Sequence, residues 1–185
     1  MLNQELLLDV VQNIKAPCII AMDGRCGSGK TTLATSIAKE NGYNLVHIDD
    51  FYLPFDKRTP EIMNEPGGNI DFERLQNEIL IPLTSRKEAI YRPYVIHEAS
   101  FLPDIYLDPN KITIVEGSYS SHPKLRKYYE LCVFMDISKD LQLKRLEKRN
   151  PMKLDAFKTM WIPREEYYFE TCNTKENADL VLMNK

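Results

Sequence analysis

The chain has 185 residues, of which 43% are hydrophobic and 28% are charged, proportions that are usual for a globular domain. Its 24 lysines and arginines nearly balance its 27 aspartates and glutamates, for a net charge of −3, which argues against a nucleic-acid-binding protein. No apolar run is long enough to span a bilayer, and residues 1–15 carry Glu5 and Asp9 where a signal peptide has an apolar core. We therefore expect a single cytoplasmic domain, residues 1–185, without a membrane segment.

The four cysteines form neither a C-x-x-C pair nor a spacing typical of metal ligands, which favours a reducing compartment. Cys18 and Cys132 lie in apolar runs, where a thiol acts as a small hydrophobic side chain. Cys26 lies near Lys30, so two interpretations stay open: a thiol with a lowered pKa, or a variable loop position, which we favour.

Residues 1–15 have the apolar spacing of an amphipathic helix that covers the sheet edge. The apolar run over residues 17–22 predicts a buried strand. The spacing over residues 33–39 predicts a helix that ends at Asn41-Gly42, and residues 44–48 predict a second strand.

Between that strand and helix, residues 24–31 fit the pattern G-x-x-x-x-G-K-[ST]. Glycines let such a loop approach a ligand closely, and its N–H groups with the following helix N-terminus form an anion site. Lys30 adds a cation for the phosphates, and the Thr31 hydroxyl is placed to bind Mg²⁺. We predict binding of ATP and Mg²⁺ rather than a glycine-rich turn without a ligand. The predicted nucleotide-binding residues are Gly24, Arg25, Cys26, Gly27, Ser28, Gly29, Lys30, Thr31 and Thr32.

Residues 53–110 hold seven of the eleven prolines and only one firm helix, over residues 71–80. Residues 89–97 predict an extended or hairpin segment. Because long connections in compact domains are usually functional, we interpret residues 53–110 as a substrate-binding insertion.

The remainder of the chain again alternates strands and helices, which predicts a parallel, doubly wound sheet. We predict strands over residues 111–115, 131–136 and 178–183, and helices over residues 122–129, 138–149 and 154–172, with Pro163 as a candidate interruption of the last helix. Ligands of such sheets bind at the carboxyl ends of the strands. Asp49, Glu116 and the glycine loop all lie at such ends, so we expect them to converge.

The acidic residues at these ends suit phosphoryl transfer. A carboxylate beside the γ-phosphate can accept the proton of an acceptor hydroxyl, and Asp49 or Asp50 is the candidate, with a helix cap or Asx-turn as the alternative. Glu116 is expected to hold Mg²⁺ or orient the acceptor, with a turn cap as the alternative. The predicted metal ligands are Thr31, Asp49 and Glu116.

Arg145 and Arg149 are four residues apart and share a helix face. A lid over residues 138–153 could bring them to the transferring phosphoryl group. The alternative is a solvated basic face, because Lys144 and Lys148 lie alongside.

These motifs resemble the uridine kinase branch of the phosphate-loop (P-loop) kinases, to which nicotinamide riboside kinases and phosphoribulokinases are related. The resemblance extends from about residue 17 to the C-terminus. It rests on Gly-Arg-Cys-Gly-Ser-Gly-Lys-Thr-Thr, Asp49-Asp50-Phe51-Tyr52 and Ile-Val-Glu116-Gly117, with further likeness in residues 66–72, 91–94, 161–163 and 168–169. It implies an α/β P-loop NTPase fold: three layers, a five-stranded parallel sheet and a mobile lid.

The resemblance also implies residue roles. Asp49 would be the catalytic base, Lys30 and Arg149 would act on the phosphates, and Glu116 would lie near the acceptor. By the resemblance, Tyr94 and His97 lie near positions that contact the uracil ring, and Asp71 lies near an aspartate that binds ribose hydroxyls. The predicted acceptor-binding residues are Tyr52, Asp71, Arg92, Tyr94, His97, Glu116 and Arg145. The family's tyrosine-aspartate pair is missing, because Val95 follows Tyr94.

The implied activity is ATP-dependent phosphorylation of a small-molecule hydroxyl, with the 5′-hydroxyl of uridine or cytidine as the first candidate. Nicotinamide riboside, pantothenate and a sugar are alternative acceptors. An ATP-binding switch module without transferase activity is the alternative from another class. The oligomeric state stays open, a homo-oligomer included.

Overall fold

The computed structural model describes residues 2–184, with side chains from residue 5 onwards; Met1 and Lys185 lie outside the described residues. Its strands are β1 (Ile19–Gly24), β2 (Asn44–His47), β3 (Ala89–Tyr91), β4 (Tyr94–Val95), β5 (Ser100–Phe101), β6 (Ile105–Leu107), β7 (Thr113–Glu116), β8 (Leu131–Ile137) and β9 (Leu180–Asn184). Its α-helices are α1 (Leu2–Gln12), α2 (Lys30–Asn41), α3 (Pro60–Asn64), α4 (Phe72–Leu75), α5 (Ile81–Thr84), α6 (Lys139–Arg149), α7 (Leu154–Ala156) and α8 (Ile162–Cys172).

The centre of the molecule is a five-stranded parallel sheet in the order β2-β7-β1-β8-β9. Every residue of β1, β7 and β8 is buried, which explains why these strands read as continuous apolar runs. The predicted parallel α/β sheet is confirmed, and because its strands all run one way, their carboxyl ends share one edge.

Hydrophobic cores fill both faces of the sheet. On one face Leu7 and Val11 of α1 pack with Ile37 of α2, and α1 lies beside α2 and the edge strand β9. The other core joins strands β1, β7 and β8 to Phe51, to the insertion and to Tyr168 of α8. The three-layer arrangement is therefore confirmed. Among residues 2–184 no helix has the length and apolar content needed to cross a membrane.

The insertion forms two small antiparallel ladders in place of one hairpin. β3 pairs with β6 and β4 pairs with β5, so residues 89–97 contribute to both. A single bridge between Tyr52 and Ile70 fastens the insertion to the segment after β2.

Two helices continue past a proline where the sequence predicted an end or an interruption. The helix predicted over residues 71–80 extends to Thr84 through Pro82, and Pro163 lies inside a helical run that ends at Cys172. In both cases a stretch of π-helix, Gln76–Leu80 or Phe157–Trp161, comes directly before the segment that contains the proline. Its i→i+5 bonding accommodates the missing N–H and the bulk of the ring.

The helix predicted over residues 122–129 is wrong. The chain forms consecutive tight turns there, with only a 3₁₀ segment at Arg126–Tyr128. The turns are closed by N–H bonds from Leu125 to His122, from Tyr128 to Leu125 and from Tyr129 to Arg126. Eight residues are too few to offset the cost of helix nucleation without strong packing on one face.

Candidate active site

The glycine loop runs from the end of β1 to the start of α2, as the motif predicted. Gly24 has φ +129°, and a Cβ there would lie 2.1 Å from the backbone oxygen of Met135. Only glycine permits this close contact with β8. The buried Lys30 ammonium donates to the backbone oxygens of Gly24 (2.7 Å) and Arg25 (2.9 Å), so it lies against the inner side of the loop.

Asp23 anchors the loop from below. Its carboxylate is fully buried and accepts hydrogen bonds from the N–H groups of Gly24, Tyr119 and Ser121 and from the Tyr168 hydroxyl, at 2.6–3.2 Å. Burial raises the pKa of this carboxyl, and its hydrogen-bond donors oppose the rise. The four donors tie β1, the segment after β7 and α8 together.

Two carboxylates of α8 hold the outer part of the loop. Glu165 is buried and accepts from the Cys26 N–H, at 3.0 and 3.1 Å, and from the Ser118 hydroxyl at 2.7 Å. Glu166 forms an ion pair with Arg25, whose Nε also donates to Asp136 at 2.9 Å. The loop is thus braced by a helix about 140 residues later in the chain.

The Cys26 thiol has a pKa that is raised to about 12, first by burial and second by the charge of Glu165. The raised pKa argues against a reactive thiolate in the loop and favours a variable loop position, the other interpretation of the sequence. The guanidinium of Arg25 is engaged with Asp136 and Glu166.

Glu116 at the end of β7 meets the start of α2. It is buried, and its two oxygens contact the Thr31 hydroxyl at 3.0 Å and Nδ1 of His47 at 2.5 Å. The hydrogen bond with Glu116 raises the pKa of His47. Glu116 faces the loop, and the alternative in which it only caps a turn is not what the structure shows.

Asp49 lies in the 3₁₀ segment Ile48–Phe51 directly after β2, exposed to solvent and hydrogen-bonded by the Tyr52 hydroxyl. Desolvation by the surrounding cleft raises the pKa of Asp49, the charge of Glu116 acts in the same direction, and Tyr52 and Lys30 oppose the rise. Asp50, by contrast, accepts from the Tyr91 hydroxyl at 3.1 Å. Of the two acids, Asp49 therefore has the carboxylate that interacts with Lys30 and Glu116.

The two arginines of the predicted lid lie in different places. Arg145 donates to the backbone oxygen of Gly27 (3.3 Å) and to the Asn184 side chain (3.2 Å), so it contacts the loop and not the insertion. Arg149 is exposed, with its guanidinium 5.8 Å from the Phe157 ring centre. The structure does not bring Arg149 to the loop, and its role stays a prediction.

The predicted acceptor residues are only partly assembled. Asp71 caps α4 by accepting from the Arg74 N–H at 3.0 Å, and Tyr94 is buried against Phe101. Arg92 is exposed, 3.8 Å from Asp104. His97 is exposed in the turn between β4 and β5. Of these predicted acceptor residues, Tyr52 is the one whose hydroxyl is hydrogen-bonded to Asp49, the candidate base.

Sequence reasoning missed three side chains of the cleft: His47, Arg58 and Glu165. His47 could have been found, because it is a polar residue at the end of β2, as Asp49 is a polar residue directly after it. Arg58 and Glu165 reach the cleft from an irregular loop and from a distant helix, where no spacing rule points to them.

The oxygen atoms of Thr31, Asp49 and Glu116 fit a Mg²⁺ ion, which prefers hard oxygen ligands and binds together with substrate phosphates. Thr31 and Glu116 are already in contact, and the charge of Glu116 acts on Asp49. Among residues 2–184 no cluster of three His, Cys, Asp or Glu side chains forms a metal site by itself. A hydroxyl with carboxylates is instead the donor set that suits a metal shared with a nucleotide.

No protein-family model matches the sequence, and no curated protein matches it significantly. Solved structures do match. A possible uridine kinase from Bacillus stearothermophilus is 20% identical over 97% of both chains, with a TM-score of 0.73. The YGR205w protein is 15% identical over 98% of this chain and 90% of that one, with a TM-score of 0.58. The chain therefore shares the α/β/α fold of these structures, with a P-loop between β1 and α2.

Proposed function

We propose that the protein is an ATP-dependent kinase that transfers the γ-phosphoryl group to a hydroxyl of a small molecule. The observation that carries the proposal is Asp49, an exposed residue directly after β2 at the carboxyl edge of the sheet, whose carboxylate interacts electrostatically with Lys30 and Glu116. A module that only binds nucleotide has no need of a base next to the phosphate site.

In this mechanism the loop N–H groups and Lys30 bind the triphosphate. Thr31, Asp49 and Glu116 would hold Mg²⁺, which would supply positive charge against the phosphates. Asp49, as the general base, accepts the proton of the acceptor hydroxyl. Tyr52, hydrogen-bonded to Asp49, orients that carboxylate toward the acceptor. Phosphoryl transfer is then a matter of aligning the acceptor hydroxyl with the γ-phosphorus.

For the acceptor we propose, from the resemblance and the fold, a pyrimidine nucleoside as the first compound to test. Support for the base-binding residues is weaker, because Tyr94 is buried against Phe101 and His97 is exposed in the turn between β4 and β5. Nicotinamide riboside, pantothenate and sugars therefore belong in the same test.

The experiment is ATP consumption with Mg²⁺ against nucleosides, vitamins and sugars, with the product mass measured directly. Asp49→Asn is expected to lower turnover about 10²–10⁴-fold while Mg²⁺·ATP still binds. Asp50→Asn is the matched variant, and its effect should be much smaller because Asp50 interacts with Tyr91. Full ATP binding without transfer to any acceptor would contradict the proposal and favour a nucleotide-binding switch.

A further inference from the structure

Arg58 holds a buried nitrogen without a partner on the acceptor side of the cleft. Its Nε donates to the backbone oxygen of Leu53 at 2.8 Å, and its guanidinium lies 4.5 Å from the Phe55 ring centre. These contacts fix the side chain. Its Nη2 is nevertheless inaccessible to solvent and has no hydrogen-bond acceptor among the described residues. A buried charged donor left unpaired is costly, so the site is built for an acceptor atom that a ligand supplies.

Arg164 is the second cation of this region. It follows Pro163 at the start of α8, directly before Glu165, which binds the Cys26 N–H of the glycine loop. Apart from the Trp161 ring, 6.0 Å away, the described residues provide no hydrogen-bond or ion-pair partner for its side chain. Burial lowers the pKa of Arg58, and repulsion by the positive charge of Arg164 acts in the same direction.

Both arginines lie near residues of the cleft. Arg58 lies close enough to the Tyr52 hydroxyl to act on it electrostatically, and Tyr52 is hydrogen-bonded to Asp49. Arg164 acts in the same way on Tyr119, whose N–H binds Asp23 below the loop. Because Arg58 also donates to the backbone oxygen of Leu53, next to Tyr52, and interacts with the charge of Arg164, the two cations lie near each other on the Tyr52 side of the cleft.

Some other arginines of the molecule have carboxylate partners. Arg25 is bonded to Asp136 and Glu166, and Arg126 to Asp179. Two neighbouring cations that keep no carboxylate partner repel each other, and an anion between them would remove that repulsion. The planar fork of a guanidinium suits phosphate or carboxylate oxygens.

We propose that Arg58 and Arg164 form an anion-binding subsite, and that the acceptor carries a phosphate or carboxylate group near the hydroxyl that receives the phosphoryl group. This inference rests on the proposed kinase function. The ATP phosphates have their own ligands in Lys30 and the loop, so the second subsite belongs to the acceptor. A neutral nucleoside, the acceptor that the resemblance suggests, would leave both arginines unpaired, so an anionic acceptor is the alternative to it that the following test separates.

The test compares matched anionic and neutral acceptors, first by calorimetry with protein saturated with Mg²⁺·ADP and then by transfer from ATP. The pairs are uridine 3′-monophosphate with uridine, ribose 5-phosphate with ribose, and glycerate with glycerol. We expect an anionic member to bind more tightly than its neutral partner. Comparing the two phosphate pairs with the carboxylate pair shows which of the two anionic groups the subsite binds.

Arg58→Gln and Arg164→Gln should each weaken binding of that anionic compound about tenfold or more and leave the KM for ATP unchanged. Arg58→Lys should restore part of the loss. Arg86→Gln is the control, because Arg86 is exposed at the end of α5, outside the cleft. Thermal unfolding of each variant separates loss of binding from loss of fold.

Several outcomes overturn the subsite. One is that no anionic member binds better than its neutral partner. Another is that the arginine variants raise the KM for ATP or slow neutral and anionic acceptors equally, which would place them on the transferred phosphoryl group. Phosphorylation of neutral uridine unaffected by the variants would remove the subsite and leave the kinase standing. Arginine-dependent binding of an anion without any transfer would retain the subsite and refute the kinase.

Discussion

The two sides of the cleft differ in how completely their charged groups are paired. On the donor side, which comprises the glycine loop and the residues that brace it, Asp23 has four donors and Glu165 holds a loop N–H. On the acceptor side, which comprises Asp49 and the insertion, Asp49 is exposed and Arg58 has an unpaired buried nitrogen. A region whose charged groups are paired is set in advance by the protein itself. The acceptor side leaves a charged group for the ligand, so specificity is expected to lie there.

The largest effect on turnover should come from replacing Lys30, the buried lysine of the donor side. Lys30→Ala removes the ammonium that lies inside the loop and should lower turnover about 10²–10³-fold, as loss of a preorganised charge-stabilising group does. Stability should change little by comparison. Lys39→Ala is the matched control, since Lys39 is exposed in the last turn of the same helix. Near-normal turnover of Lys30→Ala would contradict the assignment of the loop as the phosphate site.

Among these variants, the largest loss of stability should come from replacing Asp23, which anchors the loop on the donor side. Asp23→Asn replaces a carboxylate with an amide that has a single acceptor oxygen, and at least one buried donor is left unpaired. We expect a loss of about 3 kcal/mol in the free energy of unfolding. Urea unfolding at pH 7 measures it, with Asp9→Asn on the exposed face of α1 as the control. An unchanged unfolding midpoint would show that the hydrogen bonds of Asp23 contribute nothing to the stability of the protein.

Local patterns predicted the donor side well and the acceptor side poorly. Glycine positions, Lys30, Thr31 and the acids at strand ends could be predicted because strand, loop and helix are consecutive and the strands share one direction. Arg58 and Glu165 could not, since their roles depend on contacts between segments far apart in sequence. In the fold, the strands that are buried on both faces could be predicted, because they appear in the sequence as apolar runs. The helices that pass Pro82 and Pro163 were not, because a wide turn that accommodates a proline leaves no signature in composition.

His122 packs between the two sides of the cleft, and its titration should make the stability of the protein depend on pH. Its ring is 4.5 Å from Phe72 of α4 and 6.0 Å from Tyr168 of α8, centre to centre. Burial lowers the pKa of His122 to about 4, whereas an unfolded histidine titrates near 6.5. Between these values the unfolded state binds a proton that the folded state does not, so stability is full above pH 6.5 and falls as the pH falls.

We expect wild-type protein to lose about 2 kcal/mol through His122 between pH 7 and pH 5. His122→Phe keeps an aromatic ring between Phe72 and Tyr168 and should show a correspondingly smaller loss over that range. His97→Gln, which changes an exposed histidine, should follow the wild type. Identical pH dependence of wild type and His122→Phe would show that His122 does not titrate in this way.

The smallest effect concerns the brace on the donor side. Glu165→Gln keeps the size of the side chain and an oxygen for the Cys26 N–H and the Ser118 hydroxyl, but it removes the charge. Because hydrogen bonds to a charged group are stronger than neutral ones, we expect a loss of about 1 kcal/mol in the free energy of unfolding. The same change removes a negative charge beside the loop, which should tighten Mg²⁺·ATP binding a few-fold.

Glu166→Gln is the matched variant, since Glu166 binds the Arg25 side chain and not a loop N–H. The Cys26 thiol gives an independent measurement, because the charge of Glu165 contributes to its raised pKa. Alkylation of Cys26 at alkaline pH should therefore be faster in Glu165→Gln than in wild type or Glu166→Gln. Weaker nucleotide binding together with slower alkylation would mean that Glu165 shapes the loop more than it repels the phosphates. In that case the donor side would depend on this brace for its geometry, and the paired groups there would be a requirement for binding.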